Sequence, residues 1–99
     1  MMSMQNQKVD KKQMMLTVVL PDKPPERVAC DYVKLTVKDS LRGKNGGSYG
    51  IMSCHTPSVF LLEAGITEAF FNGESIWKRK TGDGFARVEE NNITVVTES

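Results

Sequence analysis

The stretch that decides the fold class is ITEAFFNGESIWKRK, residues 66–80. Two runs rich in strand-forming residues, 66–71 and 75–80, flank the pair Asn72-Gly73. An Asn-Gly pair in this position predicts a β-hairpin, because a type I′ turn requires positive φ at both central residues. Residues 85–89 and 93–97 predict a second hairpin across the turn at residues 90–92.

The preceding part of the chain also consists of short strand-like runs separated by turn residues. Residues 14–20 are an apolar run that Pro21 ends, and Pro24-Pro25 predicts an extended edge segment, because proline cannot donate to a β-ladder. Residues 31–38 alternate between apolar and polar side chains, and residues 41–47 are a glycine-rich predicted loop. This spacing of turn signals predicts an all-β fold, either a sandwich or a barrel.

Length and charge limit the classes of function. A chain of 99 residues corresponds to one domain, with residues 1–13 predicted to be a disordered polar tail and residues 14–99 the folded domain. The formal net charge is +1, with 13 basic and 12 acidic residues, so we expect no nucleic-acid partner. No apolar run approaches the roughly 20 residues of a membrane helix, and residues 1–13 lack the apolar core of a secretory signal. We therefore expect an intracellular protein without direct membrane insertion.

The residues that often carry chemistry do not form a recognisable catalytic or ligand-binding pattern. Cys54 and His55 are adjacent, so in an extended chain their side chains point to opposite faces, and no second histidine is present for a metal site. Gly43-Lys44 lacks the flanking residues of a phosphate-binding loop. We expect no catalytic residues, no metal and no cofactor, and two free thiols at Cys30 and Cys54.

Two aromatic segments are assigned to structural roles. The stretch WKRK, residues 77–80, is predicted to be a solvated strand face rather than a platform for stacking bases. Phe60 and Phe85 are predicted to be core residues. Phe70 and Phe71 are adjacent, so only one of the two can face the core, and the other is a candidate for a partner surface.

Three segments resemble a known family when they are taken in order. Residues 48–57 read SYGIMSCHTP, residues 81–88 read TGDGFARV, and residues 92–96 read NITVV. They resemble the N-terminal β-sandwich domain of the epsilon subunit of F-type ATP synthases. That family typically carries Gly-Ile/Leu-x-x-x-His-x-Pro, a Gly-Gly-hydrophobic-x-x-Val strand and an Asn-x-Thr-Val-hydrophobic strand. The resemblance extends over residues 16–97.

The chain departs from the family pattern at several positions. Cys54 replaces a residue that is usually small, Ser53 stands where proline is common, and Gly82-Asp83-Gly84 stands in place of the Gly-Gly pair. Epsilon subunits commonly continue into a two-helix C-terminal domain, whereas this chain stops at Ser99. The resemblance therefore implies a two-sheet β-sandwich of about 8–10 short, mostly antiparallel strands without that helical hairpin. It does not transfer the hairpin's inhibitory role or any nucleotide site.

The resemblance implies a non-catalytic rotor subunit of the central stalk, which couples the gamma subunit to the membrane c ring during ion-driven ATP synthesis. It implies gamma and the c ring as partners, a monomer when isolated, and a peripheral location on the cytoplasmic face of a bacterial energy-coupling membrane. The residues expected at the c-ring end are Tyr49, Gly50, Ile51, Met52, Ser53, Cys54 and His55, with Arg42 and Lys44 in the preceding loop. Tyr32, Lys34 and Thr36 are the candidates for contact with gamma.

Two other classes of protein remain open at this point. A β-sandwich adaptor that is not part of a rotary ATPase would have the same fold but would not bind gamma. A small Cys–His enzyme would need a thiol at Cys54 with a lowered pKa, because the thiolate is the reactive form.

Overall fold

A computed structural model describes residues 13–39, 45–53 and 56–99, and within these ranges it contains nine strands and no helix. The strands are β1 Met14–Leu20, β2 Lys23–Cys30, β3 Tyr32–Asp39, β4 Asn45–Met52, β5 Ser58–Leu62, β6 Gly65–Phe71, β7 Glu74–Thr81, β8 Gly84–Glu89 and β9 Asn92–Thr97. The predicted all-β fold is confirmed, and the number of strands lies within the predicted range. The predicted N-terminal tail falls almost entirely outside the described residues.

Both predicted hairpins are present. Asn72 and Gly73 have φ values of 53° and 83°, as a type I′ turn requires, and they connect the antiparallel strands β6 and β7. Strands β8 and β9 are also antiparallel, and Glu90 in their turn has a φ of 50°. Local turn chemistry is therefore sufficient to place these four strands.

Strand β4 begins earlier than the sequence predicts. Residues 45–47 were expected in a loop, but Asn45 pairs with Asp39 and Gly47 pairs with Val37 on β3. Glycine is weakly disfavoured in strands, and here the backbone hydrogen bonds of a long hairpin outweigh that preference. The loop prediction was wrong for these residues.

The strands form a hydrogen-bonded path in the order β2-β1-β9-β8-β5-β3-β6-β7, with β4 on the other side of β3. The strand pairs are antiparallel except for β1 with β9. Strands β5 and β3 share a single register pair, Val37 with Leu62, so the path divides there. We call β2-β1-β9-β8-β5 the first sheet and β4-β3-β6-β7 the second sheet.

Both sheets contribute their inner faces to one core. The buried apolar residues form a single cluster of Met14, Leu16, Val18, Leu20, Cys30, Val33, Leu35, Ile51, Leu62, Ala69, Ala86, Val88, Ile93 and Val95. These positions alternate along each strand with residues that face away from the core. The outer faces of the two sheets therefore point away from each other and are available for contacts with other molecules.

Side-chain hydrogen bonds connect β2 and β7, which are the two ends of the strand path. Glu26 on β2 accepts a hydrogen bond from Trp77 Nε1 at 3.0 Å and one from Arg79 at 3.3 Å, and both donors lie on β7. The ion pair is half-exposed, so by itself it contributes only about 0–1 kcal/mol. The two sheets are therefore joined at both edges and form a nearly closed arrangement. Backbone pairing of β3 with β5 joins one edge, and the side-chain bonds between β2 and β7 join the other.

Candidate interaction surfaces

The segment expected at the c-ring end lies on β4 and the turn that follows it. Tyr49 is 39% exposed, and its ring packs against Phe60 with 4.8 Å between the ring centroids. Met52 is 61% exposed, whereas Ile51 is fully buried in the core. Within this segment Tyr49 and Met52 present large side chains to solvent, and the side chain of Ile51 does not reach the surface.

Gly50 links this segment to the residues expected to contact gamma. The Tyr32 ring lies over Gly50, so closely that a Cβ added at Gly50 would collide with it. Tyr32 also packs edge-to-face against Phe70, with 5.6 Å between the ring centroids. Glycine at position 50 therefore leaves space for an aromatic pair on the outer face of the second sheet.

Four residues expected at the c-ring end, Arg42, Lys44, Cys54 and His55, lie outside the described residues. Their described neighbours are far apart, because Asp39 pairs with Asn45 at one end of the β3–β4 hairpin and Tyr32 pairs with Met52 at the other. At the usual rise per residue, β3 separates these two ends by about 23 Å. The described residues that flank the two parts of the predicted site therefore lie at opposite ends of the same hairpin.

The outer face of the second sheet carries a group of basic residues, which we call the lysine face: Lys34, Lys38, Lys78 and Lys80. Glu68 on β6 lies between Lys34 on β3 and Lys78 on β7, because it pairs with both. The prediction that residues 77–80 form one solvated face holds for Lys78 and Lys80. It was wrong for Trp77 and Arg79, whose side chains point inward and reach Glu26.

An open groove crosses the lysine face. Its lining includes Lys34, Thr36, Ser48, Ile66, Glu68 and Lys78. Thr36 donates a hydrogen bond to the Ile66 carbonyl oxygen at 3.2 Å, which connects β3 with β6 at the base of the groove. The groove therefore combines charged walls with an apolar side chain on a rigid sheet.

The outer face of the first sheet carries a row of apolar residues, which we call the apolar row: Val19, Leu61, Phe85 and Val96. Consecutive members pair across four strands, Leu61 with Phe85, Phe85 with Val96, and Val96 with Val19. Leu61 is 65% exposed and Phe85 41% exposed. Phe85 was predicted to be a core residue, and that prediction was wrong because its neighbour Ala86 takes the inward position on β8.

Reasoning from the sequence did not identify the apolar row. One signal was present, because residues 59–62 read VFLL, and in a strand such a continuous run places apolar side chains on both faces. The alternation on β5 shows this directly, with Leu62 buried and Val59 and Leu61 exposed.

Among the described residues, the side chains that could ligate a metal are scattered, and Cys30 is buried. No group of three or more potential metal-ligating His, Cys, Asp or Glu side chains occurs in the part of the chain that the structure describes. Burial raises the pKa of the Cys30 thiol to about 11, so this cysteine stays protonated at neutral pH and is a poor nucleophile. The described segments contain no helix that could cross a bilayer.

Comparison with known proteins gives matches only among solved structures. No family model matches the chain, and no curated protein matches it. A chain of the Euglena gracilis mitochondrial ATP synthase, in an OSCP/F1/c-ring structure, matches with a TM-score of 0.66 at 21% identity, over 89% of this chain and 52% of that one. The chain shares the fold of the part of that protein that the match covers.

A second match comes from the central stalk and c-ring structure of the Tetrahymena thermophila mitochondrial ATP synthase. The TM-score is 0.61 at 18% identity, and the match covers 90% of this chain and 66% of that one. This chain thus spans about half of the first structural neighbour and about two thirds of the second. At these identities the likeness is one of fold.

Proposed function

We propose that this chain is a non-catalytic central-stalk subunit of an F-type ATP synthase, equivalent to the N-terminal domain of an epsilon subunit. The observation that carries the proposal is the fold shared with chains of two mitochondrial ATP synthases, one of them in a central stalk and c-ring structure. The motif resemblance in residues 48–57 supports the same assignment.

The surfaces described above favour binding over catalysis. The apolar row exposes large side chains on a sheet face, and exposed apolar surface of this kind is typical of protein–protein interfaces. A subunit that acts through its surfaces agrees with this observation. The alternative of a Cys–His enzyme concerns Cys54 and His55, which lie outside the described residues.

The residues proposed to contact partners are those expected from the sequence, and the exposed ones among them are proposed to make the main contacts. At the c-ring end the exposed side chains of Tyr49 and Met52 are proposed to contact the ring. The same proposed segment also contains Gly50, Ile51, Ser53, Cys54 and His55. Arg42 and Lys44, which lie outside the described residues, are also proposed to pair with acidic ring loops. Tyr32, Lys34 and Thr36 are proposed to face gamma.

The proposed location is peripheral, on the side of an energy-coupling membrane that carries the catalytic head. The sequence expectation of the cytoplasmic face of a bacterial membrane stays a prediction, and both structural neighbours are mitochondrial proteins. The chain has no proposed role in choosing the transported ion, because the membrane ring makes that choice.

Co-purification tests the proposal. The tagged chain is mixed with the gamma subunit and the c ring from the same organism, and the mixture is separated by size exclusion. We expect the chain to elute with gamma, and to elute with the ring when gamma is present. A folded chain that elutes alone, as checked by its β-sheet circular dichroism, would contradict the rotor assignment and favour an adaptor unrelated to rotary ATPases.

A further inference from the structure

The charges of this chain are distributed unevenly over its surface. The whole chain has a net charge of +1, yet the outer faces of β3, β6 and β7 carry the lysine face with Glu68 as the acidic residue in its centre. Lys38, Lys78 and Lys80 are exposed, and Lys34 is half-buried. A local excess of one sign on a neutral protein produces a field that attracts groups of the opposite sign.

The ammonium groups of the lysine face have no carboxylate partner among the described residues. The ion pairs in that part of the chain are Glu26 with Arg79 and Arg87 with Glu89, and neither involves the lysine face. Lys34 Nζ instead lies 5.8 Å from the centroid of the Phe70 ring. These cations are therefore available to an anionic partner without first breaking an ion pair in the described structure.

Apolar side chains share the surface with the lysines. Ile66 is exposed beside the groove, and the aromatic pair of Tyr32 and Phe70 lies next to Lys34. Glu68 lies between Lys34 and Lys78, so the lysines are separated cations and do not form the continuous basic surface that a phosphate backbone needs. The mixture of separated cations and apolar groups matches a protein segment better than it matches a nucleic acid.

We infer that the lysine face docks an acidic, amphipathic segment of a partner protein, with carboxylates beside Lys34, Lys78 and Lys80 and apolar side chains against Ile66. This inference rests on the proposed function, in which the partner is the gamma subunit. It adds the chemistry of the gamma segment, which is acidic, and extends the contact from Tyr32, Lys34 and Thr36 on β3 to β6 and β7. Charge complementarity at such a surface mainly accelerates association and makes it sensitive to salt.

The inference is tested by measuring the affinity of the gamma subunit for three forms of the chain at low and high salt. The forms are the wild-type chain, the double variant Lys78→Glu/Lys80→Glu, and the control Lys11→Glu/Lys12→Glu, which makes the same change in net charge in the segment before β1. We expect the lysine-face variant to bind gamma about tenfold or more weakly at low salt and to lose most of its salt dependence. The control should bind like the wild-type chain, and all three should have the same melting temperature.

An array of overlapping gamma peptides identifies the segment that binds. Preferential binding of an acidic peptide, lost in the lysine-face variant, would support the inference, and preference for basic or uncharged peptides would overturn it.

If wild-type chain binds gamma and the lysine-face variant binds equally well, the inference is wrong and the proposed function stands. If wild-type chain does not bind gamma, the proposed function itself fails. Lysine-dependent binding to single-stranded DNA or to anionic vesicles, with no acidic peptide bound, would also overturn it.

Discussion

The two outer faces of this protein are built on the same alternating strands but present opposite chemistry. On the first sheet the apolar row joins four strands, and on the second sheet the lysine face joins β3 with β7 across Glu68. The inner sides of both sheets meet in one apolar core. Outward-facing positions therefore differ in chemistry between the two sheets, and strand pairing determines which side chains come together on each face.

The two faces should also contribute differently to assembly. Apolar area removed from water stabilises by about 25 cal/mol per Å², whereas an exposed ion pair contributes about 0–1 kcal/mol. We therefore expect the apolar row to determine how tightly the chain is held and the lysine face to determine how fast and how selectively it associates.

The largest effect is expected from a change to the apolar row. The double variant Leu61→Asp/Phe85→Asp should lower the affinity for the proposed central-stalk partners by about 100-fold or more, because two charges would have to be buried against apolar surface. Co-purification with gamma and the c ring measures the loss. Both side chains are largely exposed in the isolated chain, so its melting temperature should change little.

A matched change on the other sheet shows whether the apolar row is special. Ile76 on β7 is also an exposed apolar residue. Ile76→Asp should weaken assembly much less than the double variant does. Equal losses from both faces would contradict the contrast between them, and so would wild-type assembly by the Leu61→Asp/Phe85→Asp variant.

Substitutions on the two sides of one strand, β5, should lower the free energy of unfolding by different amounts. Leu61 is 65% exposed and Leu62 is 3% exposed, although they are adjacent on β5. Leu62→Ala should lower the free energy of unfolding by about 2–4 kcal/mol because it leaves a cavity in the core. Leu61→Ala should lower it by about 0.5 kcal/mol or less while weakening assembly. Chemical denaturation of the two variants side by side measures the difference, and equal losses would show that Leu61 is also a core residue.

The effect that is smallest at neutral pH concerns the core that the two faces share. The Cys30 thiol has an ordinary pKa of 9.0 that burial raises to about 11 in the folded chain. Below pH 9 the thiol is protonated in both states, so its contribution to stability is fully present. As the pH rises from 9 to 11 the unfolded chain loses this proton and the folded chain keeps it, so stability falls by at most about 2–3 kcal/mol.

The variant Cys30→Ala isolates this contribution. Denaturation of the wild-type chain and of Cys30→Ala across pH 8 to 11, on the order of one pH unit per step, should show the steeper decline in the wild-type chain. Equal pH dependence of the two proteins would mean that the Cys30 thiol ionises as readily in the folded chain as in the unfolded one.

The sequence by itself determined the elements of the fold, because their signals are local. Asn72-Gly73 requires a tight turn, Pro21 ends β1, and alternation in β3 separates Val33 and Leu35 from Tyr32 and Lys34. Each of these signals depends on residues a few positions apart. Because the signals are local, the prediction failed at residues 45–47, where pairing with the distant strand β3 outweighed the loop preference of glycine.

Only the tertiary structure decided which outward side chains meet. Val19 and Val96 come from opposite ends of the chain and become neighbours through the parallel pairing of β1 with β9, which no local pattern specifies. Glu26 on β2 likewise finds Trp77 and Arg79 only when the sheets close around the core. Strand register is a long-range property, set by how both sheets bury their inner faces together, and it determines the apolar row and the lysine face.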